Sequence, residues 1–349
     1  MTKNLTMRKM FCCMLMVILM ITLIPAQPAE AAPKYYKAAE ITAITSTISG
    51  DEMIIPEKLT YCQGLYFWME CLEECEGMYT RLWCSPDKTG KGAILLADGR
   101  DLQVEHVSDE PGYIPPQQID FTILSNGTGV YFVMKDRQAW NGRLYYVMFD
   151  GRGLDQIAEL PHLYETGRLI NNYNGQVYYY AMWSDNILNY NYVIYSASVK
   201  TGNVYKRRTN AEPYRTTTKA STRYIAYKNM NYDSANYWKT YIYDCEEKTA
   251  ECIGKAISLS VVDKKLYYGI SREDGGVYIY KEALSGRGKR TRVVTLKNAA
   301  GLGNITSKYV YWYKYDNNNN HVYYRYNLET QKSSKISKDK FKDYDYTWY

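Results

Sequence analysis

The segment Lys264–Val294 reads "KKLYYGISREDGGVYIYKEALSGRGKRTRVV", and the fold prediction begins from it. It holds two runs rich in aromatic and apolar residues, "LYYGI" from Leu266 and "VYIYKE" from Val277, separated by a polar turn with two glycines. A third run, "RTRVV", follows a second glycine-containing turn, and the weaker segment "AISLSVVDKK" precedes the first run. Short runs of this kind between Gly-containing turns indicate strands joined as hairpins. The segment and its upstream neighbour therefore predict one four-stranded antiparallel unit.

The same pattern recurs six times. A weaker segment supplies the first strand of each unit, and the second strands begin at Leu65 ("LYFWM"), Val130 ("VYFVM"), Val177 ("VYYYAM"), Tyr224 ("YIAYK"), Leu266 ("LYYGI") and Val310 ("VYWYK"). The third strands begin at Met78 ("MYTRLW"), Leu144 ("LYYVMF"), Val193 ("VIYSAS"), Thr240 ("TYIYDC"), Val277 ("VYIYKE") and Val322 ("VYYRYN"). Successive units lie 65, 47, 47, 42 and 44 residues apart, measured between their lead residues. A four-stranded propeller blade occupies about 40–50 residues.

We therefore predict an all-β chain that forms a six-bladed β-propeller in one domain, residues 32–349. The predicted blades span roughly 51–98, 119–161, 166–209, 216–255, 256–297 and 302–338, with an insertion near 98–118 that explains the long first interval. Strands such as "LYYVMF" are apolar on both faces, as strands covered on both sides must be. A large sandwich or two stacked β domains remains an alternative, as does a seventh blade. Residues 41–48 could supply an outer strand that closes the ring.

The units resemble a known family. The segment Lys264–Val294 looks like a blade of the low-density-lipoprotein-receptor-related, YWTD-type propellers, and "LYYVMFDGRGLDQI" looks like the blade ending of a related, uncharacterised propeller family common in secreted bacterial (Firmicutes) proteins. This resemblance implies a six-bladed fold and a binding role, with no known chemistry. The aspartate of the YWTD motif is missing, because Gly269 and Ile270 follow Tyr267 and Tyr268.

The N-terminus has the pattern of a signal peptide. Basic residues precede an apolar run, Met10–Ile24, and Ala29–Ala31 then gives a small-x-small cleavage motif. We expect cleavage near Ala31 and Ala32, and a secreted, extracytoplasmic product from a Gram-positive-type cell with no stable membrane insertion after cleavage. Removal of residues 1–31 leaves a net charge of +4 and six cysteines.

Four cysteines lie in "YCQGLYFWMECLEECEGMYTRLWC", residues 61–84. Cys62 with Cys84, and Cys71 with Cys75, both have residue numbers that sum to 146, so one antiparallel hairpin register would place both pairs opposite each other. Opposite residues come close to disulfide reach. With Cys245 and Cys252 flanking another turn, we predict three disulfides in an oxidising compartment. A zinc cage is the alternative, and it would require this hairpin not to form.

The sequence motifs give little evidence of a catalytic site, a metal site or a cofactor site. The set Ser85-x-x-Lys88, Ser184-Asp185-Asn186 and Lys200-Thr201-Gly202 has the order found in serine β-lactamases, but Pro86 and the glycines place its members in turns between strands. The three histidines are far apart and lack zinc-ligand spacing. We therefore predict no catalytic residue, no metal and no cofactor. The spread of the basic residues argues against nucleic acid as a partner.

Aromatic and asparagine clusters are the remaining functional candidates. They fall where the second strand of a blade turns into the third, in "WSDNILNYNYVIY" and "YKYDNNNNHVYY". Ring faces cover apolar patches of sugars and amides form hydrogen bonds, although Tyr also fills strands and Asn forms turns. The candidate binding residues are Trp183, Asn186, Tyr190, Tyr192, Tyr313, Tyr315, Asn318 and His321.

From these observations we expect a monomeric, non-catalytic binding or scaffold module whose ligand is a cell-wall or host glycan or a protein partner at the cell surface. The alternative is an extracellular carbohydrate-active enzyme, a glycosidase or lyase, on a propeller scaffold.

Overall fold

The structure is a computed structural model, and it describes residues 44–48, 59–62, 64–74, 77–99, 101–102, 118–119, 124–136, 141–163, 167–186, 189–214, 223–262, 265–273 and 275–342. The chain divides into two compact units, residues 1–35 and 36–349, and every described residue lies in the second. The predicted signal peptide lies outside the described residues. None of the helical segments within these ranges is long and apolar enough to cross a membrane.

Six sheets follow one another along the chain. Sheet one holds β1 (Ile44–Ile48), β2 (Thr60–Cys62), β3 (Leu65–Glu74), β4 (Gly77–Ser85) and β5 (Ile94–Asp98). Sheet two holds β6 (Gln118–Ile119), β7 (Leu124–Ser125), β8 (Gly129–Asp136), β9 (Asn141–Met148) and β10 (Asp155–Leu160). Sheet three holds β11 (Arg168–Tyr173), β12 (Gln176–Asn186), β13 (Asn189–Ser198) and β14 (Val204–Thr209).

Sheet four holds β15 (Ala211–Pro213), β16 (Tyr224–Asn229), β17 (Thr240–Asp244) and β18 (Thr249–Gly254). Sheet five holds β19 (Ala256–Val262), β20 (Lys265–Ser271), β21 (Val277–Ala283) and β22 (Thr291–Leu296). Sheet six holds β23 (Gly301–Ile305), β24 (Tyr309–Tyr315), β25 (His321–Asn327) and β26 (Ser333–Ile336), and a 3-10 turn follows at Lys338–Lys340. Each sheet has four strand positions, filled in chain order. In sheets one and two, two short strands share the first of these positions.

Each sheet packs face to face against the next. Val130 and Phe132 of β8 contact sheet one, while Tyr131 and Val133, on the opposite face of the same strand, contact sheet three. Equivalent apolar cores join sheets three to four, four to five, and five to six. Strands apolar on both faces are thus covered on both sides, which confirms the six-bladed β-propeller and excludes the sandwich alternative.

In sheets three to six, where the side chains of both edge strands are described, the two edges differ in burial. The first strand is largely buried, as in β19, whereas the fourth strand is largely exposed, as in β26. The first strand therefore forms the inner edge and the fourth the outer edge. Residues 41–48 were expected to supply an outer strand, but β1 occupies an inner position. It runs parallel to β3, on the same side of β3 as β2. Blade four also starts earlier than predicted, at β15 rather than at residue 216.

The disulfide predictions for Cys62–Cys84 and Cys245–Cys252 are wrong in this structure. Cys84 and Cys245 are buried free thiols, and Cys252 is an exposed one. A turn at Gly64, with φ +85°, ends the strand that carries Cys62, so Cys62 lies on β2 opposite Leu65. Cys84 lies opposite Phe67, and the hairpin register sums to 151 rather than 146. Cys252 lies opposite Tyr241, several residues away from the turn that follows Cys245.

The proposed Cys71–Cys75 bridge falls partly outside the described residues, because Cys75 is not among them. On the backbone, Cys71 lies opposite Thr80 in the β3–β4 hairpin. The insertion near residues 98–118 also lies largely outside the described part of the chain.

Both Lys-Thr-Gly copies lie in turns, as the sequence indicates. The N–H of Gly90 donates to the Asp87 carbonyl and that of Gly202 to the Ser198 carbonyl, with positive φ at both glycines. Ser85 ends β4, and its hydroxyl accepts from the N–H of Asp87. No helix places Lys88 above that hydroxyl, so the β-lactamase interpretation has no structural support among the described residues.

Candidate functional site

The predicted residues of sheet three lie on the long β12–β13 hairpin. Tyr192 pairs with Met182 and Tyr190 pairs with Ser184, so the two tyrosines share one face of the sheet. Trp183 pairs with Asn191 and faces the other way, where it stacks on His162 at 4.0 Å between ring centroids. The structure thus separates Trp183 from the two tyrosines. Only the backbone of Asn186, the last residue of β12, is described.

A loop of sheet four meets Tyr192, and the Tyr190 ring lies 6.4 Å from that of Tyr192 between centroids. The loop spans residues 230–239, between β16 and β17, and carries Tyr232, Tyr237 and Trp238. The Tyr232 hydroxyl lies beside the phenols of Tyr192 and Tyr237. The Tyr237 ring lies 4.6 Å from Tyr232 and 5.8 Å from Trp238, between centroids. We call these five residues (Tyr190, Tyr192, Tyr232, Tyr237 and Trp238) the sheet 3–4 aromatic surface.

Three rings of this surface are strongly exposed: Tyr232 at 64%, Trp238 at 50% and Tyr190 at 49% of their full area. Tyr192 lies deeper, and burial together with the hydrogen-bonded Tyr232 raises the pKa of its phenol to about 12. The Tyr192 phenol therefore stays protonated at neutral pH and offers an O–H donor as well as a ring face.

The backbone holds Trp238 in an unusual conformation. Its φ is +64°, a region that bulky residues avoid at a cost of about 1–2 kcal/mol. The N–H of Trp238 donates to the Asn229 carbonyl at 2.8 Å, and Lys239 ties the loop to Asn236 through both its backbone N–H and its Nζ. Strain of this kind persists where surrounding contacts hold it, and it clusters at functional positions. An exposed indole placed in this way is a feature of a binding surface.

A charged pair lies beside the rings. Glu212 of β15 is directly opposite Lys228 of β16, and both are half-buried. The Lys228 Nζ sits 5.1 Å from the Trp238 ring centroid and 5.2 Å from that of Tyr214. Burial raises the pKa of Glu212 despite the attraction of Lys228 and Arg168, and burial lowers the pKa of Lys228. The Lys228 ammonium group of this pair thus lies against one side of the Trp238 ring as a cation–π contact.

The predicted residues of sheet six form a second aromatic group at the β24–β25 hairpin. His321 lies 4.7 Å from Tyr313 and 5.0 Å from Tyr315, between ring centroids, and its Nδ1 is 3.3 Å from the Tyr323 hydroxyl. Phe341, from the segment after the 3-10 turn, packs on Tyr323 at 4.7 Å between centroids. Tyr315 is 51% exposed, as much as Trp238, and Tyr313 is partly buried.

A shallow depression of about 650 Å³ adjoins this second group. Asn318 lies in the turn at its rim, where its N–H donates to the Asp316 carboxylate. The lining is polar and charged, and its described members are Asp316, Asn319, Asn320, His321, Val322, Tyr323, Lys335, Ile336 and Lys338.

The eight predicted residues therefore fall into two separate groups on sheets three and six. Sequence reasoning missed Tyr232, Tyr237 and Trp238, although "NYDSANYWK" has the aromatic and asparagine content, between the second and third strands of unit four, that selected the other two loops. For metals, the described side chains contain no group of three or more His, Cys, Asp or Glu residues that could hold an ion.

Comparison with known proteins gives structural matches alone. No protein-family model matches the chain, and no curated protein matches it in sequence. Among solved structures, an uncharacterised protein of Listeria monocytogenes EGD-e matches at 8% identity and a TM-score of 0.47, over 88% of this chain and 85% of that one. The β-propeller domain of the Trilobed protease from Pyrococcus furiosus matches at 13% identity and a TM-score of 0.42, over 81% of each chain.

An oligogalacturonate lyase in complex with manganese matches at 9% identity and a TM-score of 0.45, over 78% of this chain and 74% of that one. At these identities and scores, the likeness carries no conclusion about activity or ligand.

Proposed function

We propose that the protein is a non-catalytic binding module that takes a carbohydrate chain on the sheet 3–4 aromatic surface. One observation carries the proposal: exposed rings from two neighbouring blades lie in one patch, where the Tyr232 phenol lies beside those of Tyr192 and Tyr237. Aromatic side chains combine a large apolar area with a polar tip, which suits them to binding surfaces. Sugar rings present the matching combination of apolar C–H patches and hydroxyl groups.

The fixed geometry of the rings favours binding. Tyr and Trp have only two side-chain torsions, and here ring packing restricts Tyr232, Tyr237 and Trp238 further. A preorganised surface loses little conformational entropy when a ligand arrives. The same rings would also suit an extended peptide, so a protein partner is an outcome of the test.

The test is a titration of the purified protein with soluble cell-wall glycan fragments, host glycans and a matched peptide set. We expect glycan binding, and we expect Trp238→Ala or Tyr232→Ala to weaken it at least about tenfold, as truncation of a central aromatic anchor does. Tyr61→Ala is the matched control, because Tyr61 of sheet one is 62% exposed against 64% for Tyr232. Peptide binding without glycan binding, or equal losses in the control, would refute the proposal.

A second candidate function rests on Glu212. Its raised pKa and its place beside the aromatic rings are features of a general acid in carbohydrate chemistry. The ion pair with Lys228 opposes that role because it favours the charged carboxylate. Turnover of a bound glycan that disappears in Glu212→Gln, with binding retained, would make the protein a carbohydrate-active enzyme.

Secretion and kinship to YWTD-type propellers belong to the same proposal. The Lys264–Val294 blade and the N-terminal pattern support them. N-terminal sequencing of the protein from culture supernatant should begin at or near Ala32. Cell-associated protein that retains residues 1–31 would contradict cleavage.

A further inference from the structure

The depression of about 650 Å³ beside the β24–β25 hairpin, here called the sheet-six depression, adjoins a basic segment. Residues 332–342 contain five lysines and one acid, Asp339, and all five lysines are exposed. Within the described part of the chain, none of these lysines takes part in a salt bridge. Two of them, Lys335 and Lys338, line the depression itself. A positive surface without carboxylate partners of its own attracts anions.

The acid in the lining, Asp316, is engaged by its own turn. Its Oδ1 accepts the backbone N–H groups of Asn320 and Asn318, both at 2.9 Å, and its Oδ2 accepts from the Asn320 side-chain amide at 3.4 Å. These hydrogen bonds, together with the charge of Lys335, lower the pKa of Asp316. The lining therefore has two lysines against one carboxylate, and its net charge is positive.

The rest of the lining suits a sugar ring. Val322 and Ile336 contribute apolar side chains, and the Tyr323 hydroxyl lies 3.3 Å from the Nδ1 of His321. The Asn319 side-chain amide makes no hydrogen bond with another described residue and is available to a ligand hydroxyl. The volume of the depression falls within the range of about 300–1,000 Å³ typical of small-molecule sites, so a bare inorganic ion would leave most of it unfilled.

Lysine selects the ligand by charge rather than by shape. Its ammonium group acts as a point charge on a flexible stem, so it binds a carboxylate or a phosphate, whereas the planar arginine fork favours bidentate partners. The chemistry shared by both ligands is a sugar ring that carries an acid group.

We propose that the sheet-six depression binds a saccharide unit that carries a carboxylate or a phosphate, with Lys335 and Lys338 as the cations that contact the acid group. Asn319 and the apolar side chains of Val322 and Ile336 contact the sugar ring. The site does not rest on the carbohydrate proposal, because it shares no residue with the sheet 3–4 aromatic surface. Binding there would hold an acidic glycan unit and leave the aromatic surface free for a neutral one.

The experiment compares three probes that share one sugar ring: glucose, glucuronate and glucose 6-phosphate. Each is titrated into the purified protein at low and at physiological salt and followed by ligand-observed NMR. We expect glucuronate, glucose 6-phosphate or both to bind with a Kd of about 1 mM, at least about tenfold more tightly than glucose. Binding should weaken as salt is added. The anionic probe that binds identifies the source of the acid group.

The variants Lys335→Gln and Lys338→Gln should each weaken binding of the anionic sugar about fivefold, as loss of one partly exposed cation does. Lys332→Gln is the matched control, because Lys332 belongs to the same segment and is also exposed but does not line the depression. Its affinity should change less than twofold. Thermal melts of each variant separate lost binding from unfolding.

Replacement of Asp316 by asparagine should change affinity in the opposite direction. Asp316→Asn keeps a side-chain oxygen for the turn and removes the negative charge from the lining, so the anionic sugar should bind about twofold more tightly. Damage to the fold would weaken binding instead, so this sign supports direct contact with the acid group.

Four results would overturn the proposal: no binding of either anionic sugar, equal affinity for glucose, equal affinity for acetate and inorganic phosphate without the sugar, or an equal loss in Lys332→Gln. Each of these leaves the carbohydrate proposal standing. A neutral-glycan titration that fails while glucuronate or glucose 6-phosphate binds would overturn the carbohydrate proposal alone.

Discussion

The β12–β13 hairpin of sheet three and the β24–β25 hairpin of sheet six have similar aromatic and asparagine content but different surroundings. On sheet three, Tyr192 meets a loop from the next blade that carries three rings, and Lys228 of β16 lies over one of them, Trp238. On sheet six, Tyr313 and Tyr323 are covered by Phe341 from the segment that follows the same sheet. The first arrangement builds a surface from two blades, and the second packs a chain segment onto its own blade.

This difference teaches that loop composition alone does not identify a binding surface on a propeller. The neighbouring element decides whether aromatic rings meet those of the next blade or are partly covered by a segment that follows their own sheet. Three changes test that distinction, and they are ordered here from the largest expected effect to the smallest.

Replacement of Lys228 by methionine should have the largest effect on stability. It leaves Glu212 half-buried without its nearest cation, and we expect a loss of about 2 kcal/mol in the free energy of unfolding at pH 7, less than for a fully buried pair. Burial raises the pKa of Glu212, so the penalty should grow as pH rises through that pKa and shrink as pH falls below the ordinary Glu range. Denaturant unfolding at several pH values measures it. A penalty independent of pH would show that the pair is not the cause.

Phe341→Ala tests the sheet-six arrangement. The ring contacts Tyr311, Tyr313 and Tyr323, and its partial exposure lowers the cost below that of a buried Phe, to about 1–2 kcal/mol. Thermal unfolding should show this loss, while glycan binding stays unchanged. A loss of glycan affinity with no change in stability would mean that sheet six, rather than sheets three and four, carries the ligand.

The smallest effect concerns the backbone at Trp238. Because φ is +64° there, Trp238→Gly should be more stable than Trp238→Ala by about 1 kcal/mol, although both lose the ring. Paired melts of the two variants give the difference directly. Equal stabilities would indicate that the loop adopts another conformation in solution, and the preorganised surface would lose its basis.

The strand pattern was predictable because alternation and turn residues are local. The apolar–aromatic pairs that begin the second strands, such as Leu266 and Tyr267, lie where expected, and strands apolar on both faces lie between two sheets. The cysteine pairing failed because the single turn at Gly64 divides one expected strand into β2 and β3, which changes the register. No composition rule marks such a division when the flanking residues suit strands on both sides.

The candidate site was predictable only in part, for a related reason. Trp183 and Tyr192 were grouped by proximity in sequence, but strand alternation sends them to opposite faces of sheet three. The union of Tyr192 with Tyr232 depends on contact between consecutive blades, which a single loop sequence does not specify. The Glu212–Lys228 pair likewise follows from strand register within sheet four.

The most direct measurement of the central claim is calorimetric titration of the purified protein with soluble glycan fragments, in the wild type and in Trp238→Ala, Tyr315→Ala and Tyr61→Ala. The account predicts binding by the wild type, a loss of at least about tenfold in Trp238→Ala, and changes below twofold in the other two variants. Absence of glycan binding, or equal binding by Trp238→Ala and the wild type, would contradict it.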